Sequence, residues 1–253
     1  MAVMQVALVT GAGKGIGREI VRRLASEGMI VYMGARDLAH VREDARGLPG
    51  EVRPLRLDVT VREHVEAAAA RVSGEAGRLD VLVNNAGVML EWRHPATEVP
   101  MDVVRRTYEV NVLGAIAVTQ AFVPLLRRAR PGRVVNVSSP LGSLSLLNDF
   151  GSLVAQRSHL AYGSSKAALN AVTLLYAKAL ADDGILVNAA NPGLVATDLN
   201  GGNGGLSVEQ GAEVPVRLAL LGEDGFTGRF VGDWRRGTPA DRPGASPDAL
   251  VPW

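Results

Sequence analysis

QVALVTGAGKGIGREIVRRLASEG, residues 5–28, decides the fold. QVALV (5–9) is a short apolar run of the kind that forms a buried strand. Residues 16–28 repeat apolar positions at helical spacing and end at Gly28, a natural helix terminator. Between them stands Thr10-Gly11-Ala12-Gly13-Lys14-Gly15-Ile16-Gly17. A glycine-rich turn that follows a strand and opens a helix lets backbone N–H groups and the helix dipole receive a pyrophosphate. The common G-x-G-x-x-G spacing fits at no register here, and the relevant glycines are Gly11, Gly15 and Gly17.

The same alternation continues along the chain. Strands are predicted at 29–35, 52–59, 79–87, 133–139, 185–193 and 226–232, and helices at 38–46, 61–73, 100–128, 161–180 and 207–221. Pro124 should kink the long fourth helix or mark its last part, and Gly132 should terminate the helix ending in LLRRARPG. Strand–helix alternation with nearly continuous apolar strands implies an α/β fold. The expectation is one Rossmann-type domain over residues 1–253, a doubly wound parallel sheet of about seven strands with helices on both faces.

Composition narrows the function. The 253 residues are 47% hydrophobic with a net charge of +1, which gives no reason to expect a nucleic-acid or membrane-surface partner. There is no cysteine, which excludes disulfides, thiolate nucleophiles and cysteine metal sites. His40, His64, His94 and His159 show no ligand spacing, so no metal is expected. The apolar N-terminus MAVMQVALVTGAG has neither a charged start nor a cleavage pattern and reads as a strand. With no run of about twenty apolar residues, the default location is the cytoplasm.

Two sets of residues carry chemistry. Tyr162 and Lys166 stand four apart in a helical segment, on one face and about 6 Å apart along the axis. A cation beside a phenol favours the phenolate, which makes the pair a candidate general acid/base. Arg36 closes the second strand, where an adenosine ribose is read in a dinucleotide fold. With Lys14 it favours a 2′-phosphate and hence NADP(H), while Asp37 is the competing signal for NAD.

Thr-Gly-x-x-x-Gly-x-Gly at 10–17, Asn84-Asn85-Ala86-Gly87, Asn111, the Ser-Ser pair after a valine-rich strand, Tyr162-x-x-x-Lys166 and Pro192-Gly193 occur in one order. In that order, over residues 5–232, the chain resembles the short-chain dehydrogenases/reductases. The resemblance implies an oxidoreductase with Tyr162 as proton donor to a carbonyl and Lys166 on the nicotinamide ribose. Ser139 would bind the substrate oxygen, and Asn111 would hold a water that relays protons from Lys166. The active serine of the pattern lies three residues before a glycine, which selects Ser139 before Gly142 over Ser138. Cofactor contacts carry over to Gly11, Lys14, Gly15, Ile16, Gly17 and Arg36, and to Asp58 and Val59 at the adenine. They continue through Asn85, Ala86 and Gly87 to Pro192, Gly193, Val195 and Thr197 near the carboxamide.

The chain departs from the family pattern between Ser139 and Tyr162, which stand about ten residues further apart than usual. Either this insert walls the substrate pocket through Leu141, Leu146, Phe150 or His159, or it lies on the outer surface over Leu153 and Val154. Apolar pocket candidates are Leu90, Trp92, Leu141, His159, Leu194 and Leu199. Residues 198–212, rich in glycine, are expected to form a mobile substrate lid, and 233–253 an extended tail that can fold over the body through Leu250, Val251 and Trp253. The insert leaves a dimer, a tetramer and a monomer all open. The expected reaction is reversible NADPH-dependent reduction of a small-molecule ketone or aldehyde. A reductase of an imine or activated C=C and a non-catalytic NADP-binding sensor are the rival readings.

Overall fold

The computed structural model describes residues 4–92, 94–238, 246 and 248–253. The first three residues of the N-terminal apolar run and most of the proline-rich part of the tail lie outside these. Seven strands form one parallel sheet: β1 (Val6–Val9), β2 (Ile30–Ala35), β3 (Glu51–Arg56), β4 (Val81–Asn84), β5 (Gly132–Val137), β6 (Ile185–Ala190) and β7 (Phe230–Val231), in the order β3-β2-β1-β4-β5-β6-β7. The helices are α1 (Gly15–Ser26), α2 (Leu38–Ala45), α3 (Arg62–Ala76), α4 (Met101–Tyr108), α5 (Ala115–Leu126), α6 (Leu144–Asn148), α7 (Leu153–Gln156), α8 (Leu160–Ala179) and α9 (Val208–Ala219). The doubly wound parallel sheet expected from the alternation is the observed architecture.

Strand alternation sorts the core into two layers. Ala7 and Val9 of β1 face a cluster with Ile20 and Leu24 of α1 and Val214 and Leu218 of α9. Val6 and Leu8 face the opposite cluster, with Val65 and Val72 of α3 and Phe122 and Leu126 of α5. Both faces are covered, so the strands are mainly apolar, with the polar side chains of Asn84, Arg133, Asn136 and Asn188 buried among them. The exception is β3, an edge strand that accommodates Pro54 because a missing N–H does no harm at an edge.

Two helical expectations are revised. Pro124 marks the last turn of α5, the second of its two expected roles, and the break in the fourth helix lies elsewhere. It is a π-helical turn at Glu109–Gly114, between α4 and α5. Within the continuous stretch Met101–Leu126 an 18-residue window reaches a mean hydropathy of 1.5, long and apolar enough to span a bilayer by length and composition alone. Here its apolar side is packed into the core through Val118, Phe122, Leu125 and Leu126. Gly132 does not terminate a helix. It opens β5, where a Cβ would stand 2.8 Å from the Leu126 carbonyl oxygen.

The insert before Tyr162 folds into α6 and α7, two short helices whose starts are capped by the Ser143 and Ser152 hydroxyls. The expected lid is more structured than its glycines suggest. Residues 208–212 already belong to α9, and 194–206 are cross-linked by backbone bonds between Ala196 and Leu206 and between Leu206 and Leu194. Gly204 and Gly205 serve close approach, since a Cβ on either would fall within 2.6 Å of backbone atoms of Val195 and Ala196 or of Gly237.

Candidate active site

The sheet reverses its winding between β1 and β4, and the loops leaving their C-terminal ends part there. In open parallel sheets such a switch point forms the ligand crevice. Thr10 ties the two loops together: its hydroxyl accepts the Asn85 and Ala86 N–H groups, each at 3.0 Å. Asn85 donates back to the Thr10 and Gly11 carbonyls at 3.1 Å. The glycines of the turn are required individually. Gly11 and Gly15 adopt φ of 60° and 56°. A Cβ on Gly17 would meet Asn85 Nδ2 at 2.4 Å and the Gly11 carbonyl oxygen at 2.6 Å.

No side chain caps the start of α1, and its first turn holds no acidic residue. The free N–H groups and dipole of that helix end therefore suit a phosphate, and the cradle fits a dinucleotide. Thr197, in the loop after β6, approaches the same turn. The Thr197 methyl stands 3.8 Å from where a Cβ on Gly15 would lie.

Arg36 is exposed at the end of β2. Asp37, its acidic competitor, is engaged: its carboxylate accepts the His40 N–H at 3.1 Å as the cap of α2. Lys14 Nζ donates to Asp198 at 2.6 Å with both side chains about three-quarters exposed, a pair of small energetic weight. The Asp58 carboxylate accepts both the backbone N–H and the hydroxyl of Thr60. Burial pushes its carboxyl up, but those bonds and the nearby Arg36 charge outweigh it, and the net shift is downward. The Val59 side chain packs towards Gly114 of the π-turn, where a Cβ would be 2.6 Å away. This leaves Val59 only its backbone for an adenine.

Ser138 and Ser139 separate as expected. Ser138 is buried and donates to Asn170 Oδ1 at 2.6 Å, whose amide in turn holds the Gly142 carbonyl. Ser139 lies with Tyr162 on the wall of a cavity of about 630 Å³, its hydroxyl accepting the Leu141 N–H at 3.2 Å. Lys166 is buried behind them, its Nζ donating to the Val137 carbonyl at 2.8 Å and lying 5.6 Å from the Tyr162 ring centroid. Burial holds its amine down at about 8. The phenol is buried as well, and burial pushes it up to about 12 against the opposing pull of Ser139. In this state desolvation, not the neighbouring cation, governs the tyrosine, which revises the expectation from spacing alone.

Asn111 sits in the π-turn, a helical distortion frequent at functional sites. Its amide donates to the Val88 carbonyl and the Ser165 hydroxyl, and its Oδ1 accepts the Val88 N–H at 2.8 Å. Both donors are spent, so a relay water would have to meet Asn111 at an oxygen.

The cavity is walled mainly by apolar groups. Trp92, Leu141, His159, Leu194 and Leu199 line it as expected, and Ile16, Pro192, Gly193, Val195 and Thr197 close its cofactor side. Leu90 does not line it. In the irregular run after β4 the preceding side chain, Met89, takes that place. The insert resolves to the wall through Leu153, Val154, Gln156 and Arg157, while Phe150 is 85% exposed and Leu146 packs beside Phe230. Trp234 and Thr238, from the start of the tail, are wall residues that no local motif flagged. Glu91 was missed as well. Its buried carboxylate accepts the backbone N–H groups of Ala161 and Tyr162, and an acidic residue in a loop gives no signal of a partner seventy positions on.

The short chain dehydrogenase family model matches residues 5–204. The chain is 34% identical to (+)-neomenthol dehydrogenase of Arabidopsis thaliana over 85% of its length and 91% of that protein. It is 31% identical to salutaridine reductase of Papaver bracteatum, over 90% of its length and 94% of that protein. The NADPH-bound carbonyl reductase from chicken fatty liver superposes with a TM-score of 0.80 at 27% identity, covering 93% of this chain and 98% of that one. Sheet order, glycine cradle and the Ser139–Tyr162–Lys166 grouping thus coincide with sequence similarity along most of the chain, and the protein belongs to the short-chain dehydrogenase/reductase family of nicotinamide-dependent oxidoreductases.

Proposed function

We propose that this oxidoreductase reduces an apolar ketone or aldehyde to the alcohol at the expense of NADPH: C=O + NADPH + H⁺ gives CH–OH + NADP⁺. The observation that carries this reading is the placing of Ser139 and Tyr162 together on the wall of an apolar cavity, with Lys166 buried behind them. When bound, the nicotinamide supplies the hydride. Ser139 donates a hydrogen bond to the substrate oxygen as negative charge develops there. Tyr162 gives its phenolic proton to that oxygen, and in the reverse direction takes it back. Lys166 holds the ribose hydroxyls and refills the phenolate through water at Asn111. The Met89, Leu141, Val154 and Trp234 walls exclude bulk water and select a bulky apolar body.

NADP(H) is preferred because the ribose end offers Arg36 and Lys14 as cations, while the Asp37 carboxylate is occupied as a helix cap. Arg36→Asp should abolish the preference for NADPH over NADH, and a preference that survived would mean another group reads the phosphate.

Following NADPH absorbance across a panel of ketones and aldehydes tests the reaction. Tyr162→Phe should lower turnover by roughly 10²–10⁴-fold while the Kd for NADPH stays within about threefold, because the ring remains and only the hydroxyl is lost. Full turnover by that variant would reject the assignment.

A further inference from the structure

Glu91 places a carboxylate at the helix that carries Tyr162 and Lys166. The group is 1% exposed, accepts the Ala161 N–H at 2.8 Å and the Tyr162 N–H at 2.5 Å, and has no ion-pair partner among the described residues. With His159 as the N-cap residue of α8, those are the second and third helical N–H groups, the ones a helix usually satisfies with its own N-cap side chain. His159 makes no such bond. The cap therefore comes from another part of the chain, the loop after β4.

That loop also serves several other parts of the reaction centre. Asn85, Ala86 and Gly87 floor the crevice, Val88 is gripped on both sides by Asn111, and Met89 and Trp92 line the cavity. The Trp92 ring meets the His159 ring edge-on, with centroids 5.6 Å apart. Cofactor floor, substrate wall and helix start are therefore held through adjacent residues of one short segment.

We propose that Glu91 is a positioning residue of the reductase site: by capping α8 from the loop after β4, it fixes the axial position of Tyr162 against the cofactor floor and sets the electrostatic field in which the phenol exchanges its proton. This rests on the reductase reading given above. The groups facing the phenol are the Ser139 hydroxyl, Lys166, the His159 and Arg157 side chains around the cavity, and Glu91 behind the first turn of its helix. A negative charge there opposes phenolate formation, in part cancelling the help of the helix N-terminus. Removing the charge should make the phenol more acidic.

Glu91→Gln keeps an acceptor and removes the charge, while Glu91→Ala removes both. For Glu91→Gln we expect the acid limb of the pH profile for alcohol oxidation to move down by roughly 0.5–1 pH unit, with NADPH binding unchanged within about twofold. For Glu91→Ala we expect kcat to fall about tenfold at temperatures well below its Tm, with the Kd for NADPH held. Tyrosinate absorbance of the parent and Glu91→Gln, each corrected with its Tyr162→Phe counterpart, reads the same downward shift without turnover. An unshifted phenol in Glu91→Gln would overturn the proposal, as would a Glu91→Ala variant that loses Tm alone. If Glu91→Ala does not fold, Glu91→Gln decides by itself. A parent chain that oxidises no NADPH counts against the reductase reading, and the absorbance titration still judges Glu91.

Discussion

Lys166 shows what a single position costs and supplies. Its ammonium is enclosed, with one hydrogen bond to a carbonyl and no carboxylate partner among the described residues, and burial lowers its pKa to about 8. Between that value and the ordinary 10.5, the unfolded chain binds the proton and the folded chain does not, so stability rises with pH through that window. Below pH 8 the penalty is complete, on the order of 3 kcal/mol. Lys166→Met, of similar length and without charge, should therefore raise Tm near pH 7, with the advantage fading towards pH 10.5, while turnover is lost. Thermal melts at several pH values check this. A Tm below the parent's at pH 7 would mean that the Val137 hydrogen bond outweighs the buried charge. The pair Tyr162 and Lys166 was legible because a spacing of four is a property of the sequence. Their acidities were not, because the desolvation comes from β5, the insert and the loop after β4, which are remote in the chain. Glu91 was hidden for the same reason.

Elements read from periodicity were correct where one face is apolar and misleading where it is not. In α8 an apolar side chain faces outward, since Leu175 is 67% exposed. The buried stripe carries Ser165, Lys166, Asn170 and Thr173 instead, each paired: Asn136 donates to the Thr173 hydroxyl at 2.8 Å, and Asn170 spans Ser138 and Gly142. Polar groups on a helix can face inward when strand-end partners satisfy them. The π-turn and the helices of the insert gave no periodic signal, being four to six residues long. Packing of α8 on the turn Pro140–Gly142 makes a sharp prediction. A Cβ on Gly142 would stand 2.5 Å from the Lys166 carbonyl carbon and 2.6 Å from the Ala167 nitrogen, and neither backbone atom can yield easily. Gly142→Ala should cost about 1–3 kcal/mol and lower turnover by shifting α8. Gly74, in α3 with nothing within 4 Å of its added Cβ, is the counter-case. Gly74→Ala should stabilise by about 0.5–1 kcal/mol, and urea midpoints of the two variants should move in opposite directions.

On the scale of the whole molecule, strand order determines which distant residues can meet. Parallel strands bring the segments after β1, β4, β5 and β6 to one edge of the sheet, so motifs spread from Thr10 to Thr197 converge there without being near in sequence. That convergence could be anticipated from the alternation, but the closure of the fold could not. The tail, proline-rich and without periodicity, returns to the sheet at its last residues. Val251 N–H donates to the Phe230 carbonyl, the Gly232 N–H to that of Ala249, and Val231 bridges Leu250 in antiparallel sense. This partly covers the exposed edge of β7, a two-residue strand with little pairing of its own. Val251 is buried and the Trp253 ring lies 5.5 Å from that of Phe230, while Leu250 stays 59% exposed, so two of the three expected anchors hold. The Trp253 carbonyl also accepts both the N–H and the hydroxyl of Ser145, which joins the chain end to α6 of the insert. The cavity wall formed by α7 thus rests on α6, and α6 on the last residue. Deleting residues 249–253 should cost roughly 3 kcal/mol through the lost Val251 and Trp253 packing. It should also raise KM for a bulky ketone more than for a small one, with the Kd for NADPH unchanged, because the glycine cradle is remote from the tail. Equal KM changes for large and small ketones would show that the insert stands without its C-terminal support.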